Sequence, residues 1–201
     1  MKKIEFLNFG HWTPSPSSKV RTGADSLLQS IELAVATEEL GADGAYFRVH
    51  HFARQLASPF PLLAAIGART SRIEIGTGVI DMRYENPLYM AEEAGAADLI
   101  AGGRLQLGIS RGSPEQVIDG WRHFGYQPDA DDADAGEMAR HHTEVFLQVI
   151  EGEGFARRAR TRCFRTRRGC CASSRTRTGC ARGSGGAPRR TPRPNGRHSG
   201  G

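Results

Sequence analysis

The chain has 201 residues and a formal net charge of +5, yet its two parts carry opposite signs. Residues 157–201 hold fourteen Arg, no acidic residue and no Val, Ile, Leu, Met, Trp or Tyr; the first 156 residues therefore stand at −9, and only they can bury a core. No run approaches the roughly 18 apolar residues of a membrane span, and residues 1–10 read as a strand rather than a signal peptide, so a cytoplasmic protein is expected.

Residues 4–9 (IEFLNF) are a short apolar run closed by Gly10, as in a buried strand, and residues 11–23 are a Pro- and Ser-rich loop. Residues 25–40 place Leu27, Leu28, Ile31, Val35 and Leu40 at helical spacing, with Gly41 as the stop. A second strand at 45–49 ends in His50-His51-Phe52. Ser58-Pro59, an N-cap followed by Pro at the first helical position, opens a helix through Arg69. Residues 73–80 (IEIGTGVI) form the third strand. Asn86-Pro87 repeats the capping device for a helix to about Ile100, and 104–109 (RLQLGI) is the fourth strand. A polar loop runs to about Asp134. The last helix reaches about Ile150, with Met138, Val145, Phe146, Val149 and Ile150 apolar.

The order βαβαβαβα predicts an α/β fold with a parallel sheet and helical crossovers, either an open doubly wound sheet or part of a (β/α)8 barrel. The first strand-to-helix turn lacks GxGxxG and is long and Pro-rich, which disfavours a dinucleotide-binding fold. In a barrel the site collects at the C-terminal ends of the strands, where Asn8, His11, His50, His51, Thr77, Asp81, Ser110 and Arg111 all fall.

Other signals are weaker. Cys163, Cys170, Cys171 and Cys180 match no zinc or disulfide spacing, so no metal is expected. The basic segment lacks aromatic residues interleaved for base stacking, and nucleic acid is not an expected partner. Residues 129–134 (DADDAD) lack the Gly and distal Glu of a calcium loop and read as a solvated helix entry. Glu92-Glu93 reads as a solvated helix face, and His141-His142 lacks the i, i+4 spacing of a zinc pair.

The composition of 156–201 is what GC-rich DNA encodes in a wrong frame. Back-translated with free synonymous choice and read one nucleotide upstream, it permits a strand-like apolar run followed by an Ala-rich helical segment. The expectation is a frameshift near codons 155–162, which divides the chain into an ordered part, 1–155, and a disordered basic tail; the alternative is a genuine low-complexity tail.

AYFRVHHF, SPFPLLAAIGARTSRIEIGTGVI and NPLYMAEEAGAADLIAGGRLQLGISRG, in this order and spacing over about residues 3–150, resemble the bacterial luciferase-like flavin-dependent monooxygenases. The reread tail resembles the family's fifth strand and phosphate-holding turn. The resemblance implies a TIM barrel, here cut to about four βα units, using reduced FMN from a flavin reductase and O2 to oxygenate a small organic substrate. Some relatives use a deazaflavin and transfer hydride.

Carried over by position, His50 matches the family's active-site histidine, a neutral imidazole able to hydrogen-bond or pass a proton at the flavin. His51 reads as structural. Val49 stands where luciferases often carry glutamate. Thr77-Gly78 falls at the strand-end peptide, sometimes cis, behind the flavin ring. Ser110 and Arg111 match the segment that meets the FMN phosphate, for which a guanidinium fork is suited. Asn8 and His11 are candidates for substrate contact. A half-barrel has open edges and no opposite wall, so this chain is expected to be inactive alone, and a homo-oligomer is expected if it folds. The alternative is a non-enzymatic half-barrel that dimerises to cover its open face.

Overall fold

The computed structural model describes residues 3–112, 117–127 and 135–155, and the elements below all belong to one compact unit, Met1–Glu153. The acidic run at 129–134 and the basic segment 156–201 lie outside the described residues.

Strands β1 (Glu5–Asn8), β2 (Gly44–Phe47), β3 (Glu74–Thr77) and β5 (Leu105–Gln106) form a parallel sheet in that spatial order. Helices α1 (Gly23–Glu39), α2 (Pro59–Arg69) and α3 (Pro87–Ala101) are the crossovers between them, and α4 (Ala135–Glu151) follows the last strand. The predicted third and fourth strands are each interrupted: short strands β4 (Ile80–Asp81) and β6 (Ile109–Ser110) continue β3 and β5 and pair with each other. The order and sheet are those of an α/β fold with parallel strands and helical crossovers, and the sheet is not closed within the described residues.

The helices cover one face of the sheet. Phe6, Ala45, Phe47, Ile75 and Leu105 project into a core with Ala34, Leu63, Ile66 and Ala101. Further along, Val49, Ile80, Met82 and Ile109 pack with Phe60, Met90, Ala94, Ala139 and Phe146. The helices come close through small residues: a Cβ on Gly67 would meet Ala101 Cβ at 2.9 Å, so only glycine permits this crossing of α2 and α3.

The cap of α1 is a capping box. The Thr22 hydroxyl accepts from Asp25 N, and the Asp25 carboxylate accepts from Thr22 N, so the helix starts at Gly23, two residues earlier than predicted. The Asn86 side chain caps α3 as expected, accepting from Leu88 N and Tyr89 N. Ser58 occupies the cap of α2 without a side-chain bond, leaving Pro59 to set that start. The buried stripe of α1 is also not the leucine stripe. Ser26, Ser30 and Ala34 face the sheet, while Leu27, Leu28 and Leu40 are exposed. The close approach leaves no room for leucine, and the hydroxyls are satisfied: Ser26 donates to Gly10 O and Ser30 to Ser26 O.

Two side chains fix the turns at the opposite, N-terminal end of the strands. Arg104 donates to Gly67 O, Thr70 O and Ile73 O, closing the exit of α2. The Glu38 carboxylate accepts from the backbone N–H of Ser71, Arg72 and Ile73. Burial opposes its charge, but these donors more than reverse that and hold its pKa at about 2. A depressed carboxylate stabilises the fold above its ordinary value near 4.5 and loses that contribution as pH falls toward 2. Glu38→Gln is therefore expected to lose about 1 kcal/mol at pH 7, after solvent screening, and to match wild type near pH 2, as read by urea denaturation across pH.

Candidate active site

The interruption in the third strand decides which side chains meet. Ile75 pairs with Leu105 and Gly76 with Gln106, but Ile80 pairs with Ile109 and Asp81 with Ser110. Three residues on one strand thus oppose two on the other, a β-bulge over residues 77–79. Strict alternation from Ile75 and Thr77 would turn Asp81 into the helix-side core. The extra residue reverses parity, so Ile80 and Met82 are buried there and Asp81 lies on the open face beside Ser110.

Thr77 is placed at this bulge as a clip. Its Oγ1 accepts from Gly108 N at 3.0 Å and donates to Gly108 O at 3.0 Å, satisfying the ladder where the extra residue breaks it. The hydroxyl is thus committed to the neighbouring strand. Gly78 is needed for a similar reason: a Cβ there would meet Leu7 Cδ1 at 2.9 Å and Arg48 Cα at 3.1 Å. The close approach it permits is that of the adjoining strand. All peptide bonds among the described residues are trans.

The remaining candidates divide between the two faces. Asn8 is turned to the helices, its amide donating to Ser30 Oγ at 3.0 Å and its carbonyl accepting from Gly10 N at 2.8 Å, so the structure does not bring it to the open face. His11 is exposed and stacks on Phe9, centroids 6.0 Å apart, beside a recess of about 520 Å3 between the loops after β1 and β2. His50 follows β2, half-buried; its N–H donates to Leu56 O at 2.8 Å, and its imidazole has no hydrogen-bond partner among the described residues. Ser110 donates to Ile80 O at 3.3 Å, and Arg111 is exposed with no ion-pair partner among the described residues.

Beside them is a cluster of which sequence reasoning named only His51, read as structural, and Asp81. His51 stacks on Tyr84 at 4.4 Å and meets Phe124 edge-on at 5.0 Å, its Nε2 buried without a hydrogen-bond partner among the described residues. Burial, and secondarily His50, holds its pKa below the usual value against the pull of Asp81. Phe52 and Asp119 adopt left-handed backbone at φ 55° and 50° around this cluster, and Gly120 packs where a Cβ would strike the Tyr84 hydroxyl. Asp81 is held bidentately by the Arg83 guanidinium, which lies against Gly112. The clustering of aromatics around His51-Phe52 depends on contacts far apart in sequence and leaves no local signal.

These residues fit a flavin. Gly76 and the half-buried Tyr46 share the open face with Leu7 and Phe9, and Ser110 and Arg111, a hydroxyl and a guanidinium chemically suited to a phosphate, stand at and just after β6. The profile of the luciferase-like monooxygenases, as that family is described, matches residues 7–177. The chain belongs to the luciferase-like monooxygenase family.

Its relatives include 4-hydroxyprotoasukamycin monooxygenase of Streptomyces nodosus subsp. asukaensis, 31% identical over 131 residues, which span 64% of this chain and 33% of that one. Among solved structures, the oxygenating constituent of 3,6-diketocamphane monooxygenase from Pseudomonas putida, in complex with FMN, superposes with a TM-score of 0.63 at 19% identity. That match covers 79% of this chain and 42% of the other. The coenzyme F420-dependent tetrahydromethanopterin reductase of Methanopyrus kandleri gives 0.51 at 24%, covering 75% and 40%. At these identities the structures establish the fold. The chain spans about a third of the length of the curated relatives it matches.

One half-buried carboxyl gives this region a pH dependence. Burial first, then Glu93 and Asp81, push Glu85 up to about 7, and no hydrogen bond reaches it among the described residues. A raised carboxyl is protonated in the fold, so its penalty begins above the unfolded value near 4.5 and is complete above 7. Glu85→Gln is expected to stabilise the protein on the order of 3 kcal/mol at pH 8 and not at all at pH 4, measured by chemical denaturation.

Proposed function

We propose that this chain carries the flavin-facing first half of a luciferase-like monooxygenase that uses reduced FMN and O2 to oxygenate a small organic substrate. The observation that carries the reading is His50: an imidazole at the C-terminal end of β2 without a protein partner among the described residues, in step with the open face. Bound reduced flavin would supply the electrons and the site of O2 activation. The chain's own residues bind and orient it. Arg111 and Ser110 hold the phosphate, the Gly78 backbone at the bulge backs the ring, and His50 accepts or returns a proton at the reacting edge. His11 borders the substrate side. A flavin reductase is the partner that such a reaction requires, since each turnover consumes a reduced flavin. A homo-oligomer and a cytoplasmic location belong to the same reading.

The open face leaves Leu7 46% and Phe9 43% exposed, so the chain by itself offers one wall of a pocket. FMN binding is expected to be weak and turnover absent with the 201-residue chain. Titration by flavin fluorescence tests the assignment. FMN should bind better than riboflavin, and Arg111→Gln should abolish that preference, a loss of about tenfold or more for a charge-assisted bond. Equal binding of FMN and riboflavin by the wild type would contradict the phosphate assignment. Selective binding of a deazaflavin over FMN would move the reading to hydride transfer.

A further inference from the structure

The open face of the sheet carries Glu5, Leu7 and Phe9 on β1 and its extension, Tyr46 and Arg48 on β2 and its extension, and Gln106 on β5. Charge along it is segregated. At the N-terminal end Glu74 is paired with Lys3 beside Glu5. At the C-terminal end stands Arg48, half-buried, its guanidinium 5.5 Å from the Phe9 ring centroid and without a hydrogen bond or ion pair among the described residues. Glu5 and Glu74 are both in register with Gly44, four residues before Arg48. At about 3.3 Å per residue they are roughly 13 Å away, beyond the ~8 Å over which screened charges interact at physiological salt. Asp81, beside Ser110 at that end, is held bidentately by Arg83.

A guanidinium held against an aromatic ring keeps its outer edge for a ligand, and its parallel N–H pair matches a carboxylate. Phe9 and the exposed His11 ring stacked on it, nearly parallel at 6°, place two ring edges beside that charge. We propose that Arg48 selects the substrate: the site takes a flat organic acid, its carboxylate on Arg48 and its ring along Phe9 and His11. This rests on the flavin reading above for the site's location and names the substrate class that reading leaves open.

The test uses benzoate and its neutral isostere benzamide as probes, with the full 201-residue chain, by isothermal titration calorimetry at low salt. FMN and riboflavin are titrated on the same samples. Benzoate should bind about tenfold tighter than benzamide, the worth of one charge-assisted pair. Arg48→Gln should erase that difference with FMN affinity unchanged, and Arg48→Lys should keep part of it. Unchanged circular dichroism and urea midpoint of each variant establish that the fold is intact. Equal binding of the two probes, binding of neither, or a preference that survives Arg48→Gln overturns the proposal. So does an Arg48→Gln variant that loses FMN but not riboflavin, since the anion at Arg48 is then the cofactor's phosphate. Arg48-dependent benzoate binding by a chain that binds no FMN upholds the anion site and removes the flavin reading instead.

Discussion

One extra residue in the third strand sets the chemistry of this molecule. In a strand each side chain alternates faces, so the bulge over residues 77–79 exchanges the destinations of everything after it. Ile80 and Met82 enter the core, and Asp81 emerges beside Ser110 on the face that carries Arg48. The cost of a bulge is an unpaired ladder position, and the Thr77 hydroxyl removes that cost by bonding both the N–H and the C=O of Gly108. Glycines at 78 and 108 then let three strands approach closely where two registers meet.

The two ends of the sheet are built by different means. At the N-terminal ends of the strands, charged side chains act as fasteners: Glu38 gathers three backbone donors and Arg104 three backbone acceptors in turns without regular hydrogen bonding. At the C-terminal ends, polar groups are left over. Among the described residues, the His50 imidazole has no hydrogen-bond partner, His51 Nε2 is buried and unpaired, and Arg48 and Arg111 have no ion-pair partner. Side-chain donors and acceptors are thus paired with backbone at one end and left over at the other.

Much of the fold was legible because its signals are local. Asn86-Pro87, Gly41 and the alternation of strand and helix patterns place all four βα units within a few residues of where they lie. The inward face of α1 was not legible: Leu27 and Leu28 give the stronger helical pattern, yet Ser26, Ser30 and Ala34 are buried because the helix lies too close to the sheet for larger side chains. The bulge was hidden for a related reason, since GTG in a strand states nothing about how many residues its neighbour spends over the same distance. At the site, position along the strands was readable for His50, Ser110 and Arg111. Facing was not: Asn8 and Thr77 point to the helix side, while Arg48, which strand alternation from Phe47 could have placed on the open face, was passed over.

The most direct test of this account is equilibrium urea denaturation of Thr77→Val beside Thr77→Ser. Valine keeps the shape and removes the hydroxyl, leaving Gly108 N unbonded at the bulge; serine keeps the hydroxyl. If the Thr77 clip is what holds the two registers together, valine costs about 1–3 kcal/mol and weakens FMN binding, while serine keeps most of both. A Thr77→Val protein as stable as wild type, with unchanged FMN affinity, would contradict it.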